Sequence, residues 1–420
     1  MYRKKALTKV QVAIIIVIVI VAAAMGVAYW TWPPRGPVTP KEELKIGFLA
    51  PLTGIAASDA KEMVDAARLA ADIINEEGGI LGRKLSIVVF DTELNPDKAA
   101  AGAEKLITED KVFALMGTWS SGVALAVADV AAKYKRIFIV TVAASPSITE
   151  GLVGKNYEKY KYVFRCGHNS AYDAEIGAIK AIEFFNATKY AFIAEDALWA
   201  HDLFDRLKPL AEKIGARCVF EAWPPRGALD FSTEITKLKA TDAQLLISGI
   251  PGASNVIFVK QCREMKLEIP HVQLDSAISH SFAEATGEAC DYLISYVIGS
   301  AYARHTPLTA KFGERFMKKY GYPTIGQLSL GTYDGLLSLK YAIEKVGTLD
   351  NVDAIVKAME EIEFTGAMGK IKYDKYHQNI FAPGYCTGAF IQWFHNATIQ
   401  PTIWPPEAAT AELRRAPWWK

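Results

Sequence analysis

The fold is decided between Lys45 and Phe90, where the chain reads KIGFLAPLTGIAASDAKEMVDAARLAADIINEEGGILGRKLSIVVF. Residues 45–50 form a short apolar run that predicts a buried strand, and residues 59–77 place apolar side chains at helical spacing. Residues 85–90 predict a second strand. A strand, a helix and a strand in this order are typical of a parallel sheet with a crossover helix.

The alternation continues along the chain and restarts after Arg165. Before that residue, the pattern predicts a helix opened by Asn95-Pro96, a strand at 112–116, a helix at 123–134 and a strand at 137–141. After it, helices are predicted at 172–185, 200–214, 231–239, 253–265, 307–320, 327–346 and 352–360. Strands are predicted at 190–194, 217–220, 244–248, 272–274 and 292–297, with a strand pair at 370–373 and 388–394. The sequence therefore predicts two doubly wound parallel-sheet lobes with a ligand cleft, and an aromatic tail, 404–419, that docks on them.

The composition excludes several classes of protein. With 51% apolar and 22% charged residues, the 420-residue chain is globular, neither disordered nor collagen-like. A net charge of +1 gives no support for a nucleic-acid partner. The cysteines show no metal-ligand spacing, although one or two disulfides stay open; they are Cys166, Cys218, Cys262, Cys290 and Cys386. Sequons at Asn186 and Asn396 fit a surface location.

The N-terminus predicts a location outside the cytoplasm. A basic segment, residues 1–9, precedes an apolar run, residues 10–28, that is long enough to span a bilayer. Basic residues stay on the cytoplasmic side, so the rest of the chain faces outward. The alternative is a cleaved signal peptide with a small-residue site near Ala28. Residues 29–43 are rich in proline and predict a stiff linker.

Enzymatic signatures are missing from the sequence. There is no Gly-x-Ser-x-Gly elbow, and the seven histidines show no paired spacing. The glycine-rich segment 78–83 follows a predicted helix and precedes a strand, whereas a phosphate loop needs the reverse order. We therefore expect no catalytic residue, no metal and no cofactor.

Two loops of the first lobe follow predicted strands, at the edge where open α/β sheets bind ligands. One contains Trp119, Ser120 and Ser121 directly before a helix, and the other covers residues 142–147. Hydroxyl groups at a helix N-terminus suit a carboxylate. Plain helix capping by these serines is the alternative.

A series of segments, in order and at consistent spacing, carries a resemblance to a known family. These are residues 46–54, 74–83, 90–92, 120–121, 143–146, 164–165, 195–199, 230–232, 366–371 and 391–393. Together they resemble the branched-chain amino acid (Leu/Ile/Val) binding proteins of ABC importers, over nearly the whole body from about Lys45 to Pro406.

The resemblance implies a type I periplasmic-binding fold, with two lobes joined by three crossovers. Lobe 1 would comprise residues 44–165 and 299–365, and lobe 2 residues 166–298 and 366–420 with the tail. It also implies that the protein captures an amino acid without catalysing a reaction, and that an ABC permease in the membrane is its partner.

The resemblance further implies roles for individual residues. Ser121 stands where the family binds the ligand carboxylate. Ala143 and Ser145 stand where a backbone carbonyl and a hydroxyl hold the α-amino and carboxylate groups, and Trp199 where an aromatic residue closes over the ligand. The full candidate set is Asp59, Trp119, Ser120, Ser121, Ala143, Ala144, Ser145, Trp199, Asp275 and Ser276.

Two positions depart from the family pattern. The acidic residue that pairs the ammonium appears replaced around Asp275-Ser276, where Asp275 can serve one place earlier, and an aromatic residue near the first turn appears as Asp59. Their ordinary alternatives are a turn former and a helix N-cap. Another small carboxylate or an amide therefore stays open as the ligand. An extracellular sensor domain and an enzyme are the rivals from other classes.

Overall fold

The computed structural model describes residues 8–10, 16–21, 42–274, 276, 279, 281–298, 305–324, 326–397 and 400–420. Residues 1–41 and 42–420 form two units, and the second contains every strand of the described residues. Within these described residues, no helix combines the length and apolar character needed to cross a membrane. The predicted membrane segment, 10–28, and the predicted linker, 29–43, lie mostly outside the described residues.

The first sheet consists of β1 (Leu44–Ala50), β2 (Leu85–Asp91), β3 (Ala114–Gly117), β4 (Phe138–Val140) and β5 (Val163–Arg165). All pairs are parallel, in the order β2-β1-β3-β4-β5. The strand order reverses between β1 and β3. The loops that leave the carboxyl ends of these two strands therefore border a crevice of the kind in which open sheets bind ligands.

Helices cover both faces of the first sheet. Helix α1 (Ala57–Glu76) shares a core with Ile46 and Phe48 of β1. Helices α2 (Pro96–Thr108) and α3 (Ser121–Tyr134) share the opposite core with Leu49. Successive strand side chains point to opposite faces, so a strand buried on both faces is apolar throughout. This explains why residues 45–50 predicted a buried strand correctly.

The second sheet consists of β6 (Lys189–Ala194), β7 (Arg217–Ala222), β8 (Leu245–Gly249), β9 (His271–Leu274), β10 (Ile294–Ile298), β13 (Gly388–Gln392) and β14 (Thr402–Trp404). Its order is β14-β13-β10-β9-β8-β6-β7. Strands β6 to β10 pair in parallel, whereas β13 and β14 are antiparallel additions at one edge.

The predicted parallel character of the second sheet is confirmed for β6 to β10, whereas the predicted strand pair at 370–373 and 388–394 is wrong. Strand β12 (Lys370–Lys372) pairs with β11 (Glu363–Thr365) in a separate ribbon, and β13 pairs with β10. Every residue of β13 is buried, so its backbone groups need partners on both sides inside a sheet. In β12 only the central residue is buried, which suits a ribbon at the surface.

Further helices within the described residues are α4 (Tyr157–Tyr160), α5 (Ser170–Tyr172, continued as a π-helix over Asp173–Ala178 and as an α-helix over Ile179–Phe184), α6 (Leu198–Lys213), α7 (Ser232–Lys239), α8 (Ala253–Glu264), α9 (Ser281–Thr286), α10 (Pro307–Tyr320), α11 (Gln327–Val346) and α12 (Val352–Glu360). Helix α11 packs along α1, so the chain returns to the first sheet after β10. The predicted lobe boundaries stay a prediction, since residues 42–420 form one unit by their contacts.

The aromatic tail docks on the second sheet side, as predicted. The guanidinium of Arg263 on α8 lies 3.3 Å from the ring centre of Trp418. Trp419 meets Phe185 edge to face at 5.9 Å between ring centres. These contacts bury aromatic surface that free coil would expose to water.

Arg165 joins two segments that are far apart in the chain. It ends β5, and its side chain is fully buried. Nη1 donates to the backbone oxygens of Ala143 at 3.2 Å and Ser145 at 2.6 Å. Nη2 donates to Thr149 Oγ1 at 3.0 Å, and Nε donates to Gln378 Oε1. Burial lowers the pKa of Arg165 to about 9, against the opposing pull of nearby acidic groups. The loop after β4 is thereby fixed to the segment after β12.

Asp334 on α11 holds the backbone between β11 and β12. Its buried carboxyl group accepts from Ala367 N at 2.7 Å and Met368 N at 2.8 Å. Burial raises the pKa of Asp334 to about 7, although both backbone donors favour the ionised form. A Cβ on Gly366 would come within 2.6 Å of this carboxyl group. The Gly366-Ala367-Met368 motif therefore reflects a backbone that must lie directly against Asp334.

We expect Arg165→Met to lower the free energy of unfolding by about 3 kcal/mol or more, because buried oxygens lose their donors. The matched control is Arg206→Met, which removes an exposed ion pair with Glu175 and should cost about 1 kcal/mol or less. Urea denaturation followed by circular dichroism measures both. Equal losses of unfolding free energy in the two variants would show that Arg165 does not hold the loop after β4 to the segment after β12.

Asp334 should make stability depend on pH. A carboxyl group whose pKa rises on folding binds its proton more tightly in the folded state. Its contribution to the free energy of unfolding is therefore present at low pH and is lost as pH rises. Asp334→Asn cannot titrate. Between about pH 4 and pH 7, the unfolding free energy of the wild type should fall relative to that of the variant, by at most about 1.4 kcal/mol per pH unit. A constant or rising difference in urea titrations would contradict this.

Candidate ligand-binding cleft

A small cavity marks the place where loops of the two sheets meet. Its volume is about 20 Å³, close to the space that one water molecule needs. It is lined by Trp119, Ser120, Val142, Ala144, Trp199, Arg226 and Pro251, which follow the carboxyl ends of strands in both sheets. The loops are therefore in direct contact, and a larger molecule needs them to separate.

Trp119 is anchored to the first helix. Its Nε1 donates to Asp59 Oδ2 at 3.0 Å, and both side chains are buried. Asp59 is the third residue of α1, and the N-cap position is Ala56. The alternative that Asp59 caps the helix is therefore wrong. Instead, this carboxylate orients the indole that forms one wall of the cavity.

The serines before α3 do not behave alike. Ser120 occupies the N-cap position, but its side chain makes no capping hydrogen bond. Its Oγ accepts from Arg226 Nη1 at 3.3 Å, across the cleft. Ser121 Oγ accepts from Ser145 N at 3.2 Å. Plain capping by Ser120 is therefore wrong, and the two serine loops are tied to each other beside the start of a helix.

Ser145 has a local role and a contact across the cleft. Its Oγ accepts from Ser147 N at 3.1 Å, which caps the short turn Pro146–Ile148. The same hydroxyl donates to Asp202 Oδ2 at 2.5 Å. Asp202 lies on α6, which follows β6 of the second sheet, and burial raises the pKa of Asp202 while the bond from Ser145 opposes that rise.

Glu195 organises the side of the cavity that follows the second sheet. It follows β6 and is buried. Trp199 Nε1 donates to Glu195 Oε1 at 2.9 Å, and Arg226 Nη2 donates to the same oxygen at 3.2 Å. The guanidinium carbon of Arg226 also lies 5.9 Å from the ring centre of Trp119. One carboxylate therefore positions both an aromatic ring and a cation against the loops of the first sheet.

The structure brings some of the predicted residues together and not others. Trp119, Ser120, Ala144 and Trp199 line one cavity, and Ser121 and Ser145 are bonded to each other. The side chain of Ala143 packs in the core between β4 and α3, and its carbonyl accepts from Arg165. Ser276 donates to Leu274 O at 2.7 Å. Asp275 lies outside the described residues.

The sequence prediction missed Glu195, Asp202, Arg226 and Pro251 as site residues. Glu195, Arg226 and Pro251 follow strand ends, so the rule that located the serine loops in the first lobe also applies to them. Asp202 lies three residues after Trp199 on α6, which places both on one helix face. These signals were present in the sequence but needed the second lobe's strand ends to be compared in the same way.

Other features of the chain lie away from this cleft. A cavity of about 570 Å³ lies between α5 and the segment 368–408, but none of the predicted site residues lines it. All five cysteines are free thiols. Within the described ranges, no cluster of His, Cys, Asp or Glu side chains could hold a metal ion.

Comparison with known proteins places the chain among binding proteins. Residues 43–387 match the model of a family described as periplasmic binding protein. The Leu/Ile/Val-binding protein BraC3 of Rhizobium johnstonii is 25% identical over 334 residues, which cover 79% of this chain and 87% of the relative.

Two solved structures share the fold. The substrate-binding protein LivJ from Streptococcus pneumoniae, in complex with isoleucine, is 22% identical, covers 86% of this chain and 99% of its own, and has a TM-score of 0.74. A solute-binding protein of an ABC transporter from R. palustris, in complex with benzoate, is 18% identical and has a TM-score of 0.76. The match covers 90% of this chain and 99% of that protein. The type I periplasmic-binding α/β fold is thereby confirmed.

Proposed function

This chain belongs to the periplasmic binding protein family, and we propose that it captures an amino acid of the branched-chain or hydrophobic type by closure of its two lobes. It is a binding protein of the ABC importer type and not an enzyme. The body works on the extracytoplasmic side and delivers its ligand to an ABC permease. Closure shifts the balance between an open and a closed arrangement toward the closed one.

The observation that carries this proposal is the meeting of polar groups from both sheets at one cavity. Ser121 and Ser145 lie beside the N-terminus of α3, where a carboxylate is favoured by hydroxyl donors and the helix dipole. Trp199 acts as the lid from the second lobe. Asp59 and Asp275 are the candidate partners of the ligand ammonium, and Ser120, Ala143, Ala144 and Ser276 complete the surroundings.

The relatives support the choice of ligand. BraC3 is named for leucine, isoleucine and valine, and LivJ holds isoleucine. A second candidate is an aromatic carboxylate, which the benzoate complex supports. In this chain, that alternative is favoured by the two indoles and the guanidinium of Arg226 around the cavity, because flat apolar walls with one cation suit a ring that bears a carboxylate.

Calorimetry with leucine, its deaminated analogue and benzoate tests the proposal. The wild type should bind leucine, and the deaminated analogue poorly, because a buried carboxylate needs the ammonium as its partner. Ser121→Ala should weaken leucine binding about tenfold or more, with little change in the melting temperature of the free protein. Ser147→Ala, which removes a hydroxyl from the neighbouring serine loop after β4, is the control.

Equal binding of leucine and the deaminated analogue would replace the amino acid by a simple carboxylate. Benzoate binding without leucine binding would establish the second candidate. Unchanged leucine affinity in Ser121→Ala would remove Ser121 from the site.

We also propose that residues 10–28 anchor the protein in the membrane, with residues 29–43 as a spacer. The basic residues of segment 1–9 support this orientation. In cells that express the full chain, mass spectrometry should recover the intact N-terminus from carbonate-washed membranes. A mature N-terminus near Ala28 in the soluble fraction would instead show a cleaved signal peptide.

A further inference from the structure

Helix α6 presents two side chains to the first lobe. Trp199 lines the cavity, and Asp202, three residues later, reaches the hydroxyl of Ser145. Helices α3 and α6 are in contact, so this bond forms where the lobes meet beside the start of α3. The carboxylate of Asp202 thus accepts the hydrogen bond from Ser145 that, in the proposed function, the ligand carboxylate accepts.

The hydrogen-bonding capacity of Ser145 makes this contact exclusive. A serine hydroxyl has one proton to donate, and Ser145 gives it to Asp202 Oδ2 at 2.5 Å. The backbone N–H of Ser145 is donated to Ser121 Oγ at 3.2 Å. A ligand carboxylate that accepts from the Ser145 hydroxyl must therefore take the place of Asp202.

Charge strengthens this competition. Two carboxylates that share one site repel each other, so the ligand and Asp202 cannot both stay ionised beside Ser145 without cost. Asp205 on the same helix adds a like charge, whereas Arg165 and His201 favour the ionised form of Asp202. Asp202 is only half-buried, so its side chain can return to water when a ligand displaces it.

We propose that Asp202 is an internal competitor for the ligand carboxylate and a latch between the lobes. This rests on the proposed function, in which Ser145 helps to bind that carboxylate. Because the latched form must be broken before the ligand binds, the apparent affinity is reduced by the fraction of protein that is latched. Asp202 therefore lowers affinity, unlike a residue that contacts the ligand favourably.

The affinity test compares Asp202→Ala and Asp202→Asn with the wild type, by calorimetry with leucine, its deaminated analogue and benzoate. Asp205→Asn is the matched control, because it removes the same charge from an exposed position on the same helix. We expect Asp202→Ala to bind the carboxylate probe about tenfold tighter than the wild type does. The affinity of Asp202→Asn should lie between these two, and that of Asp205→Asn should stay within about twofold of the wild type. Unchanged or weaker binding by Asp202→Ala overturns the proposal, and a loss confined to leucine would make Asp202 an ammonium partner instead.

A second measurement needs no ligand. Small-angle scattering of the protein without added probe should show a larger radius of gyration for Asp202→Ala and Ser145→Ala than for Asp205→Asn, because the latch is lost. If no probe binds to any variant but these two variants open, the latch stands and the ligand class of the proposed function fails. If no probe binds and neither variant opens, both proposals fail.

Discussion

The geometry of the cleft depends on one buried guanidinium. Arg165 binds neutral oxygens of the loop after β4 and of the segment after β12, so the cost of burying its charge is offset by several dipoles rather than by one carboxylate. Ser145, whose carbonyl accepts from Arg165, presents its hydroxyl to the cleft. The position of the hydroxyl therefore follows from a charge that is fully buried.

The sequence predicted most of the fold because strands buried on both faces are apolar throughout, as at residues 46–50. It failed at β13, because a local pattern does not show which strand a segment pairs with across a long stretch of chain. The serine loops were predicted from their place after strand ends. Arg226 was missed because the same rule was not applied to the second sheet, and the bonding partners of Asp202 and Arg226, 57 and 106 positions away in the chain, cannot be read from a local pattern.

Both lobes supply charged groups whose partners are other parts of the same protein. Glu195 holds Trp199 and Arg226, and Asp59 holds Trp119, so the walls of the cavity are fixed before any ligand arrives. Such fixed walls reduce the entropy that binding must overcome. The bonds from Ser145 to Asp202 and from Arg226 to Ser120, in contrast, join parts of the chain that follow strands of different sheets, and under the proposed function they must break before a ligand enters.

The docked tail has a consequence for how this molecule could be used. The first strand of the body begins at Leu44 in one sheet, whereas the final residue, Lys420, donates its backbone N–H to Glu268 O beside the other sheet. The two ends of the body thus lie beside different sheets. If the two sheets move relative to each other as the proposed function requires, fluorophores attached at these ends would change their separation, which is the layout of an optical biosensor.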